Sequence, residues 1–457
     1  MIHFKTAAKA ALAATYVLWT PIATQAETLA DALASAYTHS GLIDKNRALL
    51  RVADEDVAIA AAALKPIITW SSSITYTDMG GASLLDDVNV NLDLNAELLL
   101  YDFGASATAV ESQKELVLST RETLKRVEQE ILFRAVEAYV DVRSSSESLA
   151  LRQSNVRVIT QELRAARDRF DVGEVTRTDV ALAEARLASA RSLLASAEGQ
   201  LQRDVAEYVA AVGRKPGRLA TPSANLNLAN SIERATAIAF RTHPAILKAQ
   251  HDVSATELNI RRAELAMSPT LRGTARALMD EDRNVSETIG LQAGATIYRG
   301  GELSARLRQA QARRDASRAD LHIVRHQVEQ GVVNAYSLLE VANASRQASE
   351  RQIRASRVAF RGVREEATLG ARTTLDVLNA EQELLDAEAG LITAQSDEVR
   401  AAYGVLSSMG LLTAEHLGLA VQVYDPAAYY NLVKDAPAIR SDQGAALDRV
   451  LRSIGKE

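Results

Sequence analysis

The amino-acid sequence predicts a membrane β-barrel joined to a long α-helical barrel, with each chain supplying only part of both. Three observations indicate this fold class: two long proline-free stretches, an internal duplication, and four short segments in which apolar and polar residues alternate. The 457 residues are 47% hydrophobic but only 4% aromatic. Small aliphatic side chains therefore supply most of the apolar surface, which suits close packing between helices.

The first 26 residues have the features of a secretory signal peptide. Lys5 and Lys9 give a positive start, an apolar core runs from Ala10 to Trp19, and Thr24-Gln25-Ala26 is a small-x-small cleavage site. An N-terminal membrane anchor is the alternative, but the apolar run is short for one. The rest of the chain has no apolar run of about 18 residues, so any membrane insertion must use strands.

Composition excludes several functional classes. A formal net charge of −6 argues against a nucleic-acid partner, and the lack of cysteine excludes disulfides, thiolate metal sites and a cysteine nucleophile. His322 and His326 have the spacing of two ligands on one helix face, but zinc sites need three or four. The chain also lacks common catalytic motifs, so we predict a non-enzyme without cofactor or metal.

Proline placement predicts the long helices. None lies between Pro66 and Pro216, or between Pro269 and Pro426. Because proline breaks helix interiors, these gaps are where long helices can run. The first is predicted over residues 105–171, which corresponds to about 100 Å.

The two proline-free stretches belong to an internal duplication. "LLYDFG" (99–104) matches "TIYRGG" (296–301), and "FDVGEVTRTDVALAEA" (170–185) matches "ATLGARTTLDVLNAEQ" (367–382). We therefore predict a first helix–hairpin–helix repeat over 27–230, a second over 231–424 and a tail over 425–457. The predicted strands lie at about 66–77, 88–101, 269–279 and 286–298.

The clearest strand alternates almost without error between Val88 and Leu98. A period of two indicates a β-strand with one apolar and one polar face. A lone strand of this kind also fits a soluble sheet, but four of them behind a signal peptide favour a membrane barrel. The residues predicted to face the pore are Asn89, Asn91, Asp93, Asn95 and Glu97.

Four strands cannot close a barrel, and open sheet edges are excluded from lipid. Two chains would supply eight strands and a barrel filled by side chains, whereas three would supply twelve and leave a lumen. Because all four strands have a polar face, the sequence predicts the wet lumen of a homotrimer. Each chain would then contribute a third of the tube.

The duplicated plan and the motifs "LLYDFG", "FDVGEVTRTDVALAEA" and "LGARTTLDVLNAEQ" resemble the TolC family of outer-membrane efflux and secretion channels. The resemblance extends over about residues 27–424. It implies a trimer with a twelve-stranded barrel in outer-membrane lipid and a long periplasmic α-barrel. It also implies a periplasmic adaptor (membrane fusion protein) and an inner-membrane ABC or RND transporter as partners. The implied function is the exit duct for type I protein secretion or drug efflux.

Two glycine-containing turns join the long helices to the helices that follow. Gly173 and Gly370 fit helix C-termini, where glycine readily adopts the left-handed conformation. In similar channels these turns form the closed periplasmic end, and we expect them to dock the adaptor. The docking residues are then Val172, Gly173, Glu174, Leu369, Gly370 and Ala371.

The resemblance also implies a gate beside these turns. The position of Asp376 lines the constriction of similar channels, and a second acid follows one turn later, where this chain has Asn379. The remaining ring of three carboxylates would either raise its own pKa by repulsion or attract cations. Arg372 is expected to hold the tips shut, with Asp179 on a neighbouring helix as its partner. The alternatives are helix capping for both aspartates and an exposed turn arginine for Arg372.

The rival interpretation is a periplasmic coiled-coil adaptor or scaffold protein without a pore. It would explain the long helices and the signal peptide. It would not explain four amphipathic strands in two equivalent hairpins.

Overall fold

The structure is a computed structural model that describes residues 26–76, 88–224, 226–280, 282–438 and 441–454. The predicted signal peptide lies outside the described residues, apart from Ala26. The first half of the chain consists of α1 Leu29–His39, α2 Gly41–Ala62, β1 Ile67–Tyr76, β2 Val88–Tyr101, α3 Ala105–Asp171 and α4 Arg177–Val212. The second half repeats this order with α5 Ile232–Thr242, α6 Pro244–Leu265, β3 Thr270–Met279, β4 Val285–Gly294, α7 Glu302–Thr368 and α8 Thr374–Ser408. Two short helices end the described chain, α9 Pro426–Val433 and α10 Asp442–Ile454.

The equivalent long helices α3 and α7 each have 67 residues and are therefore about 100 Å long. The limits of α3 are those predicted from the sequence. Helices α6 and α8 lie between α3 and α7, whereas α2 and α4 pack against α3. The helices thus form a layer with α7 at one edge. Among the described residues, no helix is long and apolar enough to cross a lipid bilayer.

The four strands form one antiparallel sheet in the order β1-β2-β3-β4. The fourth strand was predicted to reach residue 298, which is wrong, because β4 ends at Gly294. Gly294 pairs with Thr270, the first residue of β3. Beyond that pair β3 offers no further backbone partner, so the ladder ends there.

In each repeat a glycine lies at the C-terminal end of the second long helix, α4 or α8, and packs against the end of the short helix α1 or α5. Gly213 and Gly410 have φ angles of 85° and 76°. A Cβ at Gly213 would lie 2.2 Å from His39 Cγ, and one at Gly410 would lie 2.6 Å from His243 Cα. Both positions therefore need glycine, for its left-handed backbone and for the close approach.

The largest hydrophobic core lies around the middle of α3, where the short helices α1 and α5 pack against the long ones. Tyr139 of α3 is fully buried, and its hydroxyl donates to the carbonyl oxygens of Glu27 and Ala220 at 2.8 Å each. The equivalent Tyr336 of α7 donates to the carbonyl of Ala229 at 2.8 Å. These tyrosines attach the segment before α1 and the segment between α4 and α5 to the long helices.

The predicted tail folds back onto α2. The hydroxyl of Tyr429 in α9 donates to Glu55, and Lys65 donates to the carbonyl of Ala436 at 2.9 Å. Tyr429 and Val433 share a small buried cluster with Ala58. The tail therefore contacts the end of the helix layer from which β1 emerges.

Candidate functional site

The strand register divides the sheet into a polar and an apolar face. Directly opposite residues lie on the same face of an antiparallel pair, so the five polar residues of β2 share a face with the partners that they meet. Asn95, for example, stands opposite Thr69 of β1 and Arg276 of β3. The polar side chains on this face are Thr69, Ser71, Ser73, Thr75, Asn89, Asn91, Asp93, Asn95, Glu97, Thr270, Arg272, Thr274, Arg276, Ser286, Thr288 and Gln292, and the apolar Ile67, Leu99 and Leu278 lie on it as well.

The opposite face is mostly apolar and exposed, with Ser72 and Glu287 as polar members. Trp70 and Ile74 of β1 are 68% and 74% exposed, and Ile289 and Leu291 of β4 are 89% and 75% exposed. A largely apolar exposed sheet face of this kind fits contact with lipid or a partner rather than with water. This face therefore has the character required of the lipid-facing side of strands that span a bilayer.

Two ion pairs cross the polar face where the repeats meet. Arg272 pairs with Glu97, and Arg276 pairs with Asp93. Strands β2 and β3 are not joined by a hairpin turn, so turn geometry does not fix their register. In the observed register these two diagonal pairs form between β2 and β3, and they cancel the charge of both carboxylates.

The tips of the long helices end in the same turn in both repeats. Gly173 and Gly370 have φ angles of 81° and 78°. The amide of Glu174 donates to the carbonyl of Arg169 at 2.8 Å, and that of Ala371 donates to Glu366 at 2.9 Å. Such a bond across the glycine defines a Schellman turn, which satisfies the last carbonyls of the helix. The apolar tip residues Val172 and Leu369 are 72% and 84% exposed.

Asp179 and Asp376 both close capping boxes. Asp179 accepts from the Thr176 amide at 2.9 Å and hydroxyl at 2.7 Å, and Asp376 accepts from the Thr373 amide at 3.0 Å and hydroxyl at 2.8 Å. The hydroxyl of Thr176 lowers the pKa of Asp179, and the backbone amide of Thr373 lowers the pKa of Asp376. Within one chain, hydrogen bonding therefore favours the charged form of Asp376.

Arg372 pairs with a carboxylate of its own turn. Its Nε lies 2.8 Å from Glu366, and the described part of the chain contains no ion pair between Arg372 and Asp179. The expected partnership of these two residues thus remains a prediction for contacts between copies. Asn379 accepts from the guanidinium of Arg186 at 3.1 Å, which ties α8 to α4 beside the tips.

A buried polar contact that the sequence analysis missed lies near the tips. Asn155 of α3 donates to Glu381 of α8 at 3.2 Å, and both residues are 7% exposed. Glu381 occupies the same motif position as Glu184 in the first repeat, which is exposed. The repeat motif was a sequence signal for the position, but it could not distinguish a buried carboxyl from an exposed one.

An amphipathic sheet with two open edges, joined to helices about 100 Å long, defines the class of channel subunits that span a membrane with strands. The model of the outer membrane efflux protein family matches residues 32–214 and 238–411. The chain therefore belongs to the outer membrane efflux protein family, and the resemblance to TolC is confirmed.

Relatives and solved structures agree with this assignment. The outer membrane efflux protein BepC of Brucella suis is 37% identical over 416 residues, which cover 90% of this chain and 91% of BepC. The proteases secretion protein PrtF of Dickeya chrysanthemi is 25% identical, over 76% of this chain and 83% of PrtF. The open-state structure of the MtrE channel of Neisseria gonorrhoeae has a TM-score of 0.75 at 19% identity, over 85% of this chain and 90% of MtrE.

These findings confirm the fold class and the general function. The chain is an outer-membrane channel subunit with a large periplasmic helical part, and it serves as an exit duct in an export system. Its relatives are channel proteins, which agrees with the expected lack of catalysis.

Proposed function

We propose that three copies of this chain form the duct, with the polar sheet face lining its lumen and the helix tips forming its periplasmic gate. The observation that carries this proposal is the order of the open edges. In the described sheet β1 and β4 each have one unpaired edge, and β1 follows α2 whereas β4 precedes α7. The β4–α7 edge of one copy would therefore meet the β1–α2 edge of the next. Such a head-to-tail contact forms a ring when the rotation between copies closes, and we propose that it closes at three copies.

Exposed apolar side chains support the same contact. Helix α2 packs one side against α3 through Leu50 and Val57. Its other side carries a stripe that is between 48% and 69% exposed, formed by Leu42, Leu49, Val52 and Ile59. A stripe of this kind marks a protein interface, and the neighbouring copy is the partner that the edge order supplies. Three copies give twelve strands, enough to leave a lumen.

We propose that the tip turns dock a periplasmic adaptor, which connects the duct to an inner-membrane ABC or RND transporter. The exposed Val172 and Leu369 offer apolar contacts on two equivalent turns. The Schellman bonds hold each turn in a fixed shape before the adaptor arrives. Both cargo classes occur in the names of relatives, one an efflux protein and one a secretion protein for proteases. Protein secretion and drug efflux thus both remain candidates for this chain.

Purified protein in detergent is expected to run as a heat-modifiable trimer and to insert into planar bilayers as a single conducting unit. The physical reason is that the described sheet of each chain has one unpaired strand edge on either side, which lipid does not tolerate. Size-exclusion chromatography with light scattering checks the mass, and bilayer recording checks conduction. A stable single-chain particle without conductance would contradict the proposal.

Ion selectivity tests the assignment of the lumen face. Arg272→Gln combined with Arg276→Gln leaves Glu97 and Asp93 without counter-ions, so we expect a several-fold rise in K⁺ over Cl⁻ permeability at low salt. The measurement is the reversal potential in a KCl gradient. A control that also carries Asp93→Asn and Glu97→Gln restores neutrality and should return the potential to that of the parent. Unchanged selectivity in the arginine variant would place these pairs outside the lumen.

A further inference from the structure

The two repeats differ at one duplicated ion pair. In the first repeat Arg167 of α3 pairs with Glu184 of α4 at the protein surface. The equivalent residues of the second repeat are Arg364 of α7 and Glu381 of α8. Arg364 instead lies 3.7 Å from Glu162 of α3. Among the residues that the structure describes, Glu381 therefore has no ion-pair partner.

Glu381 is enclosed between the two helix pairs of one chain. Its Oε1 accepts from Asn155, whereas its Oε2 is buried and has no hydrogen-bond partner among the described residues. The adjacent cluster is apolar and joins α3, α4 and α8 through Ile159, Leu163, Ala183, Leu187, Ala190 and Leu378. Burial in such a place disfavours the charged form of a carboxyl relative to the neutral form.

We propose that Glu381 is a proton-dependent tie that keeps the α7–α8 tip packed against the α3–α4 tip, and that its ionisation lets the two tips part. This inference rests on the proposed gate at the helix tips. Glu381 lies two positions beyond Asn379, so the tie is next to the gate in the chain. Protonated, it stays buried against Asn155; ionised, it is driven toward water.

The charged groups around the tie come from three helices. Glu162 of α3 repels the ionised form, Arg364 of α7 attracts it, and Arg186 of α4 is occupied at the neighbouring Asn379. Burial is the largest cause that raises the pKa of Glu381 to about 7, and Glu162 adds to it.

The raised pKa of Glu381 determines how the packing of the two tips depends on pH. The packed tips hold the proton more tightly than parted tips, in which a solvated carboxyl has its usual pKa of about 4.5. Packing is therefore most favoured below pH 4.5, and this contribution is lost as the pH rises through 7. We expect the ratio of parted to packed tips to rise by about tenfold or more between pH 5 and pH 8.

The test measures the distance between the two tips directly. The chain has no cysteine, so Val172→Cys and Leu369→Cys allow specific spin labelling at two exposed positions. Purified trimers in detergent would carry one labelled chain each, diluted with unlabelled copies. Pulsed electron resonance should give a longer and broader distance at pH 8 than at pH 5.

Three variants decide the outcome. Glu381→Gln keeps an accepting oxygen for Asn155 but cannot ionise, so its distance should be the same at both pH values. Glu162→Gln should reduce the response, because it removes a repelling charge and releases Arg364. Glu383→Gln, at an exposed position of the same helix, should respond like the parent. A pH-dependent distance in Glu381→Gln, or a pH-independent distance in the parent, would contradict the proposal that Glu381 ties the two tips together. The distance measurement does not depend on conduction. A trimer that fails to conduct would contradict the proposed function, whereas the distances at the two pH values alone decide whether Glu381 ties the tips.

Discussion

Val341→Glu is expected to abolish the trimer while leaving the single chain helical. Val341 is 65% exposed on α7, one turn from Leu338, which is 63% exposed. The other side of α7 packs within the chain through Val332 and Tyr336. If the neighbouring copy covers this edge, each of the three interfaces would bury an unpaired carboxylate, which is strongly destabilising.

Light scattering in detergent measures the oligomeric state, and circular dichroism measures helix content. Gln347→Glu introduces the same charge at another exposed position of α7, outside the apolar pair, and should remain trimeric. A Val341→Glu protein with the parent's mass would show that this part of α7 is not an interface. Loss of helix in Val341→Glu alone would instead indicate a folding defect within the chain.

Local patterns were sufficient to predict most of the fold. The helix limits at Ala105 and Asp171 follow from proline placement and a glycine turn. The capping boxes at Thr176 and Thr373 follow from a threonine three positions before an aspartate. These signals act within a few residues, so one sequence contains all the information that they need.

Contacts between distant segments were not predictable in this way. Arg272 and Glu97 are 175 positions apart, and their pairing depends on the register between two strands that no turn connects. The end of β4 at Gly294 similarly depends on where β3 begins. Periodicity assigns a face to each residue, but it does not say which residue of another strand stands opposite.

The duplication shows the same limit within one motif. Glu184 and Glu381 occupy equivalent positions, yet Glu184 pairs with Arg167 at the surface and Glu381 is buried against Asn155. Helix α4 packs mainly against α3, whereas α8 packs against both α3 and α7. The environment of the carboxyl is therefore set by helix order, which the repeated letters do not encode.

Arg372→Ser combined with Asp179→Ala is expected to raise single-channel conductance severalfold. Within one chain Arg372 is exposed and pairs with Glu366, and an arginine at a helix tip has the reach and the five donors to bond a carboxylate of the next copy. Removing the guanidinium and the Asp179 carboxylate together removes both halves of such a latch. The tips of three copies would then be held only by their apolar contacts.

The double variant also removes a helix cap, because Asp179 accepts from the Thr176 amide and hydroxyl. Thr176→Ala separates the two effects, since it breaks the hydroxyl part of the capping box but keeps the carboxylate, at a typical cost of about 1 kcal/mol. Its conductance should match that of the parent. Single-channel recordings in planar bilayers at equal salt distinguish loss of the latch from loss of the helix cap. Unchanged conductance in a correctly assembled double variant would remove the latch, and an equal rise in Thr176→Ala would assign the effect to capping.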